Sequence, residues 1–267
     1  MQQLEGRVAV VTGAGSGIGR GSARALAARG MAVVVADIEA EAARTVADEI
    51  EDAGAAALAV ATDVSSRAQV EALRDAALGA FGAVHVVCNN AGVFCGGPML
   101  ACSEGDWRWT LDVNVMGVVH GSQVFAPLLV AQGEGHIVNT ASLGGWLAEP
   151  SMSIYTTSKF AVVGFSEALR AELAPHGVGV TTLCPGPVRT QLADSDRLRP
   201  ATAGEAVAQS GSLEPVMEQG VDPDAIGPLV AGAVLDDAEY LFTHRGFEAL
   251  LAGKFDRVRA AVAAAPW

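Results

Sequence analysis

The sequence predicts a doubly wound α/β fold, in which a parallel sheet of about seven strands carries helices on both faces. Over the first two-thirds of the chain, short runs rich in β-branched residues alternate with longer stretches rich in Ala, Leu, Glu and Arg. This alternation is typical of strands joined by right-handed helical crossovers. Some of the short runs, such as residues 8–11 and 33–35, are continuously apolar, as strands covered by helices on both faces require.

The individual elements follow from the apolar runs and from the Gly and Asp residues that bound them. Strands are predicted over residues 7–12, 31–36, 56–62, 84–89, 136–141, 179–184 and 239–243. Helices are predicted over residues 17–29, 39–53, 67–81, 103–132, 153–176 and 246–264, with a further helix start at residues 222–223. This last start rests on Asp222 as an N-cap and on Pro223 at the first helical position.

Length and composition favour one domain with a large core. The chain has 267 residues, of which 51% are hydrophobic and 18% charged, and this composition excludes a disordered chain and a small disulfide-stapled scaffold. Without a repeat or a dividing linker, residues 1–267 are expected to form a single domain. Residues 190–220 are rich in Ser, Gly, Pro, Asp and Glu and are expected to form a mobile lid over a functional site. Residues 246–264 are expected to form a C-terminal helical extension.

The charge balance and the cysteines exclude several classes of partner. Lys and Arg number 17 against 30 Asp and Glu, a net charge of −13, which opposes binding to nucleic acid. The first residues show no basic segment followed by a long apolar run, so a cytoplasmic location without a membrane partner is expected. The four Cys and five His lack metal-binding spacing, so free thiols and no metal are expected.

A glycine-rich turn joins the first predicted strand to the first predicted helix. Residues 12–19 read Thr-Gly-Ala-Gly-Ser-Gly-Ile-Gly, and such glycines let the backbone approach a ligand closely. The following helix start offers unpaired N–H groups to a pyrophosphate. Ile18 stands where GxGxxG has its third glycine, so the turn fits GxxxGxG through Gly13, Gly17 and Gly19. The position after a strand and before a helix favours a dinucleotide site.

Asp37 ends the second predicted strand, 18 residues beyond Gly19. A carboxylate at this place accepts hydrogen bonds from the adenosine ribose hydroxyls and repels a 2′-phosphate. Ile38 follows, and no Arg or Lys lies beside Asp37 in the sequence. NAD is therefore predicted in preference to NADP.

Four side chains are candidates for proton chemistry. Tyr155 and Lys159 are four residues apart near a predicted helix start, so they share one face of the helix. An adjacent ammonium group lowers a phenol pKa, which makes the pair a proton-transfer device. Ser142 ends a strand, where a hydroxyl can hydrogen-bond a carbonyl or alcohol oxygen. Asn114 lies in an apolar helix and requires a hydrogen-bond partner when buried.

Taken together, these motifs resemble those of the single-domain short-chain dehydrogenase/reductase family, whose fold is Rossmann-like. The resemblance covers residues 5–190 strongly and residues 222–242 more loosely. The matching elements stand in the family's order at residues 12–19, 63–64, 89–92, Asn114, Ser142, 155–159 and 185–190.

The resemblance implies a role for each matching residue. Tyr155 would be the general acid/base, and Lys159 would lower its pKa and bind the nicotinamide ribose. Ser142 would polarise the substrate oxygen, and Asn114 would hold a water in the proton relay. The implied cofactor-binding residues, with Tyr155 and Lys159, are Gly13, Ser16, Gly17, Ile18, Gly19, Asp37, Asp63, Val64, Asn90, Ala91, Gly92, Pro185, Gly186, Val188 and Thr190.

The resemblance implies an NAD(H)-dependent oxidoreductase that interconverts a secondary alcohol and a ketone. An apolar pocket bordered by Phe94, Trp146 and Met152 is expected, with a hydrophobic small molecule as substrate. A non-catalytic NAD(H)-binding redox sensor on the same fold is the alternative, and a lyase or epimerase using the same tyrosine is a smaller one. The absence of GxSxG in the sequence argues against a serine hydrolase.

The C-terminus departs from the family pattern. Residues 239–244 lack the glycine-rich ending that the family's tetramers share. A homodimer or homotetramer is still expected, and residues 247–262 are expected to cover either a partner subunit or the mouth of the active site.

Overall fold

The computed structural model describes residues 1–204 and 213–267, and within them seven strands form one parallel sheet. The strand order is β3-β2-β1-β4-β5-β6-β7, and each neighbouring pair runs parallel. The order reverses between β1 and β4, and ligands of doubly wound proteins bind at such a reversal. The strands are β1 Val8–Thr12, β2 Ala32–Asp37, β3 Ala57–Ala61, β4 Val86–Asn89, β5 Gly135–Thr140, β6 Val178–Cys184 and β7 Tyr240–Phe242.

Helices connect the strands and continue beyond the sheet to the C-terminus. They are α1 Gly17–Ala27, α2 Ala40–Asp52, α3 Arg67–Phe81, α4 Glu104–Leu111, α5 Gly117–Gln132, α6 Ser153–Leu173, α7 Glu214–Glu218, α8 Ile226–Asp236 and α9 Glu248–Ala263.

Two predicted helices differ from the observed ones. The helix predicted over residues 103–132 is divided into α4 and α5 by a π-helical segment, Asp112–Met116. Wider helical turns of this kind occur mostly at functional sites, and this one contains Asn114. The helix predicted to start at residues 222–223 begins with a 3₁₀ turn. There the Asp222 side chain accepts from the Asp224 N–H, and α8 follows.

The core lies on both faces of the sheet, as the predicted doubly wound fold requires, and that prediction is confirmed. Successive residues of β1 point to opposite faces: Ala9 and Val11 pack in a cluster with α1, α2 and α8. Val10 packs in a second cluster with α3 and α5. The continuously apolar runs of the sequence are therefore the central strands.

The stretch Glu104–Gln132, which contains α4 and α5, is long and apolar enough to cross a membrane by length and composition. Half of its most apolar window is buried inside the protein, and Phe125 and Leu129 are fully buried in the second core cluster. The apolar character of this stretch therefore serves the core of the domain.

The segment predicted as a lid is partly helical where the structure describes it. Gln191–Leu198 and Ala201–Ala203 form 3₁₀ turns, and α7 follows at Glu214–Glu218. Residues 205–212 of the predicted lid lie outside the described residues. The predicted C-terminal extension is α9, and each of its residues keeps part of its surface in solvent.

Candidate active site

A cavity of about 490 Å³ opens at the carboxyl ends of the parallel strands. It extends from the glycine-rich turn after β1 to the start of α6, across the reversal of strand order. Most of the predicted site residues line it: Gly13, Ser16, Gly17, Ile18, Asp37, Asp63, Val64, Asn90, Ala91, Gly92, Ser142, Met152, Tyr155, Lys159, Pro185, Gly186, Val188 and Thr190.

The glycines of the turn allow close packing that any other residue would prevent. Gly13 has φ +62°, and a Cβ there would lie 2.7 Å from the Cα of Ala91. A Cβ on Gly19 would lie 2.1 Å from the carbonyl oxygen of Gly13. The Asn90 side chain donates to the carbonyl oxygens of Thr12 and Gly13 at 3.0 and 3.3 Å. Gly19 and the Asn90 amide therefore hold the shape of the turn, and Gly13 contributes to the cavity wall.

The turn has the features that a pyrophosphate requires. Helix α1 begins at Gly17, and within the described structure the Ser16 side chain makes no capping bond to the first-turn N–H groups. Uncapped N–H groups at a helix start attract anions. Because glycine backbone and this helix start face the same cavity, the residues present fit a dinucleotide.

Asp37 lies on the rim of the cavity and is almost fully buried. Its Oδ2 accepts a hydrogen bond from the Gly15 N–H at 2.8 Å, and its Oδ1 accepts from the Glu39 N–H at 3.0 Å. The carboxylate is therefore fixed beside the glycine turn, where its negative charge acts on whatever occupies this part of the cavity.

Helix α6 places Tyr155 and Lys159 in the cavity wall, one turn apart. The Lys159 ammonium donates to the carbonyl oxygen of Thr140 at 2.9 Å and lies 5.7 Å from the centre of the Tyr155 ring. Ser142 follows β5, and its hydroxyl oxygen accepts from the Gly144 N–H at 3.0 Å. The Ser142 side chain lies close enough to the Tyr155 hydroxyl to lower its pKa. The three predicted side chains therefore meet at one place.

Burial controls the acidity of this cluster. It raises the pKa of Tyr155 above its ordinary value, and the Ser142 side chain partly opposes the rise. Burial also lowers the pKa of Lys159 to about 8. The sequence predicts that Lys159 lowers the tyrosine pKa, whereas burial among the protein groups shifts it upward. Removing the phenolate from water outweighs an ammonium group that faces the ring and the Thr140 carbonyl.

Asn114 lies behind the cavity wall and is fully buried. Its Oδ1 accepts from the Val93 N–H at 2.8 Å, and its Nδ2 donates to the Val93 carbonyl oxygen at 2.9 Å and to the Ser158 hydroxyl at 3.0 Å. The π-helical segment thus connects the chain after β4 to α6, three residues beyond Tyr155. Both polar ends of this amide are occupied by protein groups.

Two residues predicted to border the pocket lie outside its lining. The Phe94 ring packs against Tyr155, with ring centres 5.2 Å apart, and so supports the tyrosine from behind. Trp146 points away from the cavity, because its ring packs against Tyr240 and Phe255 and its indole N–H donates to the Cys184 sulfur at 3.2 Å. The expectation that Trp146 borders the pocket is therefore wrong.

Further lining residues carry no motif and were missed in the sequence. They come from α4, from the segment after β6 and from the C-terminal extension. They include Trp109, Gln191, Leu192, Arg197, Leu198, Leu213, Val216, Phe247 and Leu250. Of the two expectations for residues 247–262, the structure places the start of this segment at the mouth of the cavity. These lining residues are scattered along the chain and most lie in irregular segments, so no periodic pattern in the sequence identifies them.

Comparison with known proteins identifies the family. The profile of the short chain dehydrogenase family matches residues 7–200. The crystal structure of a short chain dehydrogenase/reductase from Burkholderia phymatum, in complex with NAD, is 42% identical in sequence, with a TM-score of 0.94. The superposition covers 98% of this chain and 97% of that one. The chain belongs to the short-chain dehydrogenase/reductase family, as its motifs predict.

Curated relatives agree with this class. A cyclohexanol dehydrogenase from Acinetobacter sp. is 34% identical over 242 residues, which cover 90% of this chain and 92% of the relative. A C alpha-dehydrogenase from Sphingobium sp. is 32% identical over 251 residues, which cover 91% of this chain and 82% of the relative. The protein is an oxidoreductase of this family.

Proposed function

We propose that the protein is an NAD(H)-dependent dehydrogenase that interconverts a secondary alcohol and a ketone. The observation that carries this proposal is the placement of Ser142 and Tyr155 together with Lys159 in the wall of the cavity that also contains the glycine turn. A hydroxyl pair at the end of a dinucleotide cleft is suited to binding one substrate oxygen and exchanging a proton with it.

The chain's own residues bind the substrate oxygen and move its proton. Bound NAD(H) supplies the hydride acceptor or donor. In the reductive direction, Tyr155 transfers its phenolic proton to the substrate oxygen, and Ser142 donates a hydrogen bond to the same oxygen. In the oxidative direction, Tyr155 accepts the alcohol proton after it has lost its own. The Lys159 ammonium, fixed on Thr140, stabilises the phenolate that the reductive step leaves.

The cofactor is proposed to be NAD, with the adenosine ribose beside Asp37 and the pyrophosphate on the turn at residues 13–19. The carboxylate of Asp37 would accept the ribose hydroxyls and repel a 2′-phosphate. The similar Burkholderia phymatum structure contains NAD, which supports this choice.

The substrate is proposed to be an apolar secondary alcohol or ketone. The cavity wall includes Met152, Leu213, Met217, Phe247 and Leu250, and an apolar wall with few polar groups favours a hydrophobic ligand. The relative that is a cyclohexanol dehydrogenase makes cyclohexanol the first compound to test.

A panel of secondary alcohols, beginning with cyclohexanol, tests the proposal with NAD and with NADP through the absorbance of the reduced nicotinamide. We expect turnover with NAD, and in Tyr155→Phe we expect turnover to fall by about 10³-fold while NADH still binds. Undiminished turnover in Tyr155→Phe would contradict the assigned mechanism. A non-catalytic redox sensor would bind NADH and turn over no member of the panel.

A further inference from the structure

An ion pair crosses the cavity close to Asp37. The Arg197 Nη2 lies 3.0 Å from the Glu39 Oε2, although the two residues are 158 positions apart. Both residues line the cavity. The fold therefore brings a cation to a rim where the sequence shows no Arg or Lys next to Asp37.

Arg197 is held in place by its own segment. Its Nη1 donates to the carbonyl oxygens of Asp194 and Gln191 at 2.9 and 3.3 Å. Only Nη2 engages Glu39. Because Nη1 stays on the backbone, removal of the Glu39 charge would leave a fixed guanidinium group at this position, ready for another anion.

Glu39 connects this pair to the proposed ribose site. Its N–H donates to Asp37 Oδ1 at 3.0 Å, so its side chain starts immediately beside the carboxylate that is proposed to accept the ribose hydroxyls. Arg197 and Glu39 are 27% and 43% exposed. A partly solvated pair of this kind is weak, so another anion can compete for the guanidinium group.

We infer that Glu39 is a second determinant of cofactor selectivity, because it neutralises an arginine that would otherwise bind the 2′-phosphate of NADP. A guanidinium group binds phosphate through charge-assisted and often bidentate hydrogen bonds. Asp37 repels this phosphate, and Glu39 pairs with the Arg197 guanidinium group that would otherwise attract it. The inference rests on the proposed use of a nicotinamide dinucleotide and explains how a cavity that contains Arg197 still prefers NAD.

Binding measurements on four variants test this inference. The dissociation constants of NADH and NADPH are measured by nicotinamide fluorescence for Glu39→Gln, Arg197→Gln, the double variant and the control Glu41→Gln. Glu41 is an exposed acid in the first turn of α2, so its variant removes the same charge without touching Arg197. We expect Glu39→Gln to strengthen NADPH binding relative to NADH by about tenfold, the effect of a charge-assisted hydrogen bond.

The double variant distinguishes a contact between Arg197 and the phosphate from the simple loss of the negative charge of Glu39. We expect it to lose the gain seen in Glu39→Gln, and we expect Arg197→Gln alone to weaken NADPH relative to NADH. If the double variant keeps the gain, Arg197 does not bind the phosphate and the inference is wrong. It is also wrong if Glu39→Gln and Arg197→Gln weaken NADH and NADPH equally, since the pair would then hold the cavity together without selecting a cofactor.

Because the experiment measures cofactor binding and not turnover, a failure of this inference can be distinguished from a failure of the proposed function. A protein that binds NADH but oxidises no alcohol would contradict the proposed dehydrogenase, and the comparison of NADH with NADPH would still decide the role of Glu39.

Discussion

The ammonium group of Lys159 donates to the carbonyl oxygen of Thr140 across 2.9 Å, which links α6 to the last residue of β5. This bond fixes the lysine next to the Tyr155 ring in a nearly solvent-free place. The pKa of Lys159 falls to about 8 because of that burial, so the lysine loses its charge within an accessible pH range.

The lowered pKa of Lys159 predicts how stability changes with pH. Between pH 8 and 10.5 the unfolded chain carries a proton on Lys159 that the folded protein has released, so the contribution of Lys159 to the free energy of unfolding rises with pH in this window. A shift of this size corresponds to roughly 3 kcal/mol. The buried thiols of Cys88 and Cys184, whose pKa values are raised from 9.0 to about 12, act in the opposite direction in the upper part of the window. Lys159→Met should therefore lower the slope of the free energy of unfolding against pH, measured by urea unfolding across the window. Equal slopes for the variant and the unaltered protein would contradict the lowered pKa. The two proteins are compared by the slope of the free energy of unfolding against pH. Its absolute value also changes, because Lys159→Met leaves the Thr140 carbonyl oxygen without its hydrogen-bond donor.

Ser142→Ala should alter the pH profile as well as the rate. The Ser142 side chain lowers the pKa of Tyr155, so its loss should raise that pKa and move the rising limb of alcohol oxidation to higher pH. The turnover rate should also fall by about 10²-fold or more, since one of the two groups on the substrate oxygen is lost. Ser153→Ala, at the start of the helix that contains Tyr155, is the matched control. Its hydroxyl is buried without a partner in the described structure, so its profile should stay in place.

Asn114→Ala should act mainly by lowering the stability of the protein and only indirectly on catalysis. The change leaves the Val93 N–H and carbonyl and the Ser158 hydroxyl without their Asn114 partner. We expect a loss of about 3 kcal/mol in the free energy of unfolding, because buried groups without partners are costly. Thermal unfolding with and without NADH measures the loss. A variant as stable as the unaltered protein would show that water replaces the amide.

A buried ion pair should contribute more than an exposed one. Arg199 contacts Asp106 at 2.6 Å, with side chains 8% and 0% exposed, and its guanidinium lies 4.7 Å from the ring of Trp109 in the cavity wall. Arg199→Met should cost about 3–5 kcal/mol because it leaves a buried carboxylate without its cation. The control is Arg108→Met, which breaks a pair with Glu104 that is 74% and 78% exposed and should leave the stability almost unchanged. Similar losses of stability in both variants would contradict the expected difference between the buried and the exposed ion pair.

Leu250→Ala should weaken the use of apolar substrates. Leu250 lies in α9, lines the cavity and is partly exposed, so truncation should remove about 1 kcal/mol of contact with an apolar substrate. We expect kcat/KM for cyclohexanol to fall about fivefold, with little change in thermal stability. Val262→Ala, on the exposed far end of the same helix, should leave kcat/KM as it was. An equal fall in both variants would mean that the helix acts through its overall packing.

Local patterns were sufficient to predict the sheet and the glycine turn. The strands are short apolar runs, and helices such as α1 and α2 bury apolar residues on one face, so neighbouring residues contain the information. The glycines at 13 and 19 are recognisable as part of a glycine-rich turn. The structure gives the reason for them, because a Cβ on Gly13 would collide with Ala91 and a Cβ on Gly19 would collide with the Gly13 carbonyl oxygen. No pattern of neighbouring residues, however, predicts the π-helical segment that interrupts the predicted helix at Asn114.

Contacts between distant segments could not be predicted in this way. Arg197 reaches Glu39 from 158 positions away, and neither residue stands in a motif. The position of Trp146 shortly after Ser142 predicts a place at the pocket. The aromatic rings of β7 and α9 that draw it away are about 100 residues further along the chain. Such placements depend on the path of the whole backbone.

The cavity draws its walls from Gly13 at one end of the chain and from Leu250 near the other. Strand β7, which ends at Phe242, is the last strand along the chain to join the sheet. A ribosome-bound chain that stops before α9 therefore lacks Leu250 from the wall of the cavity. Binding of an apolar substrate should thus distinguish chains that contain α9 from chains that stop before it.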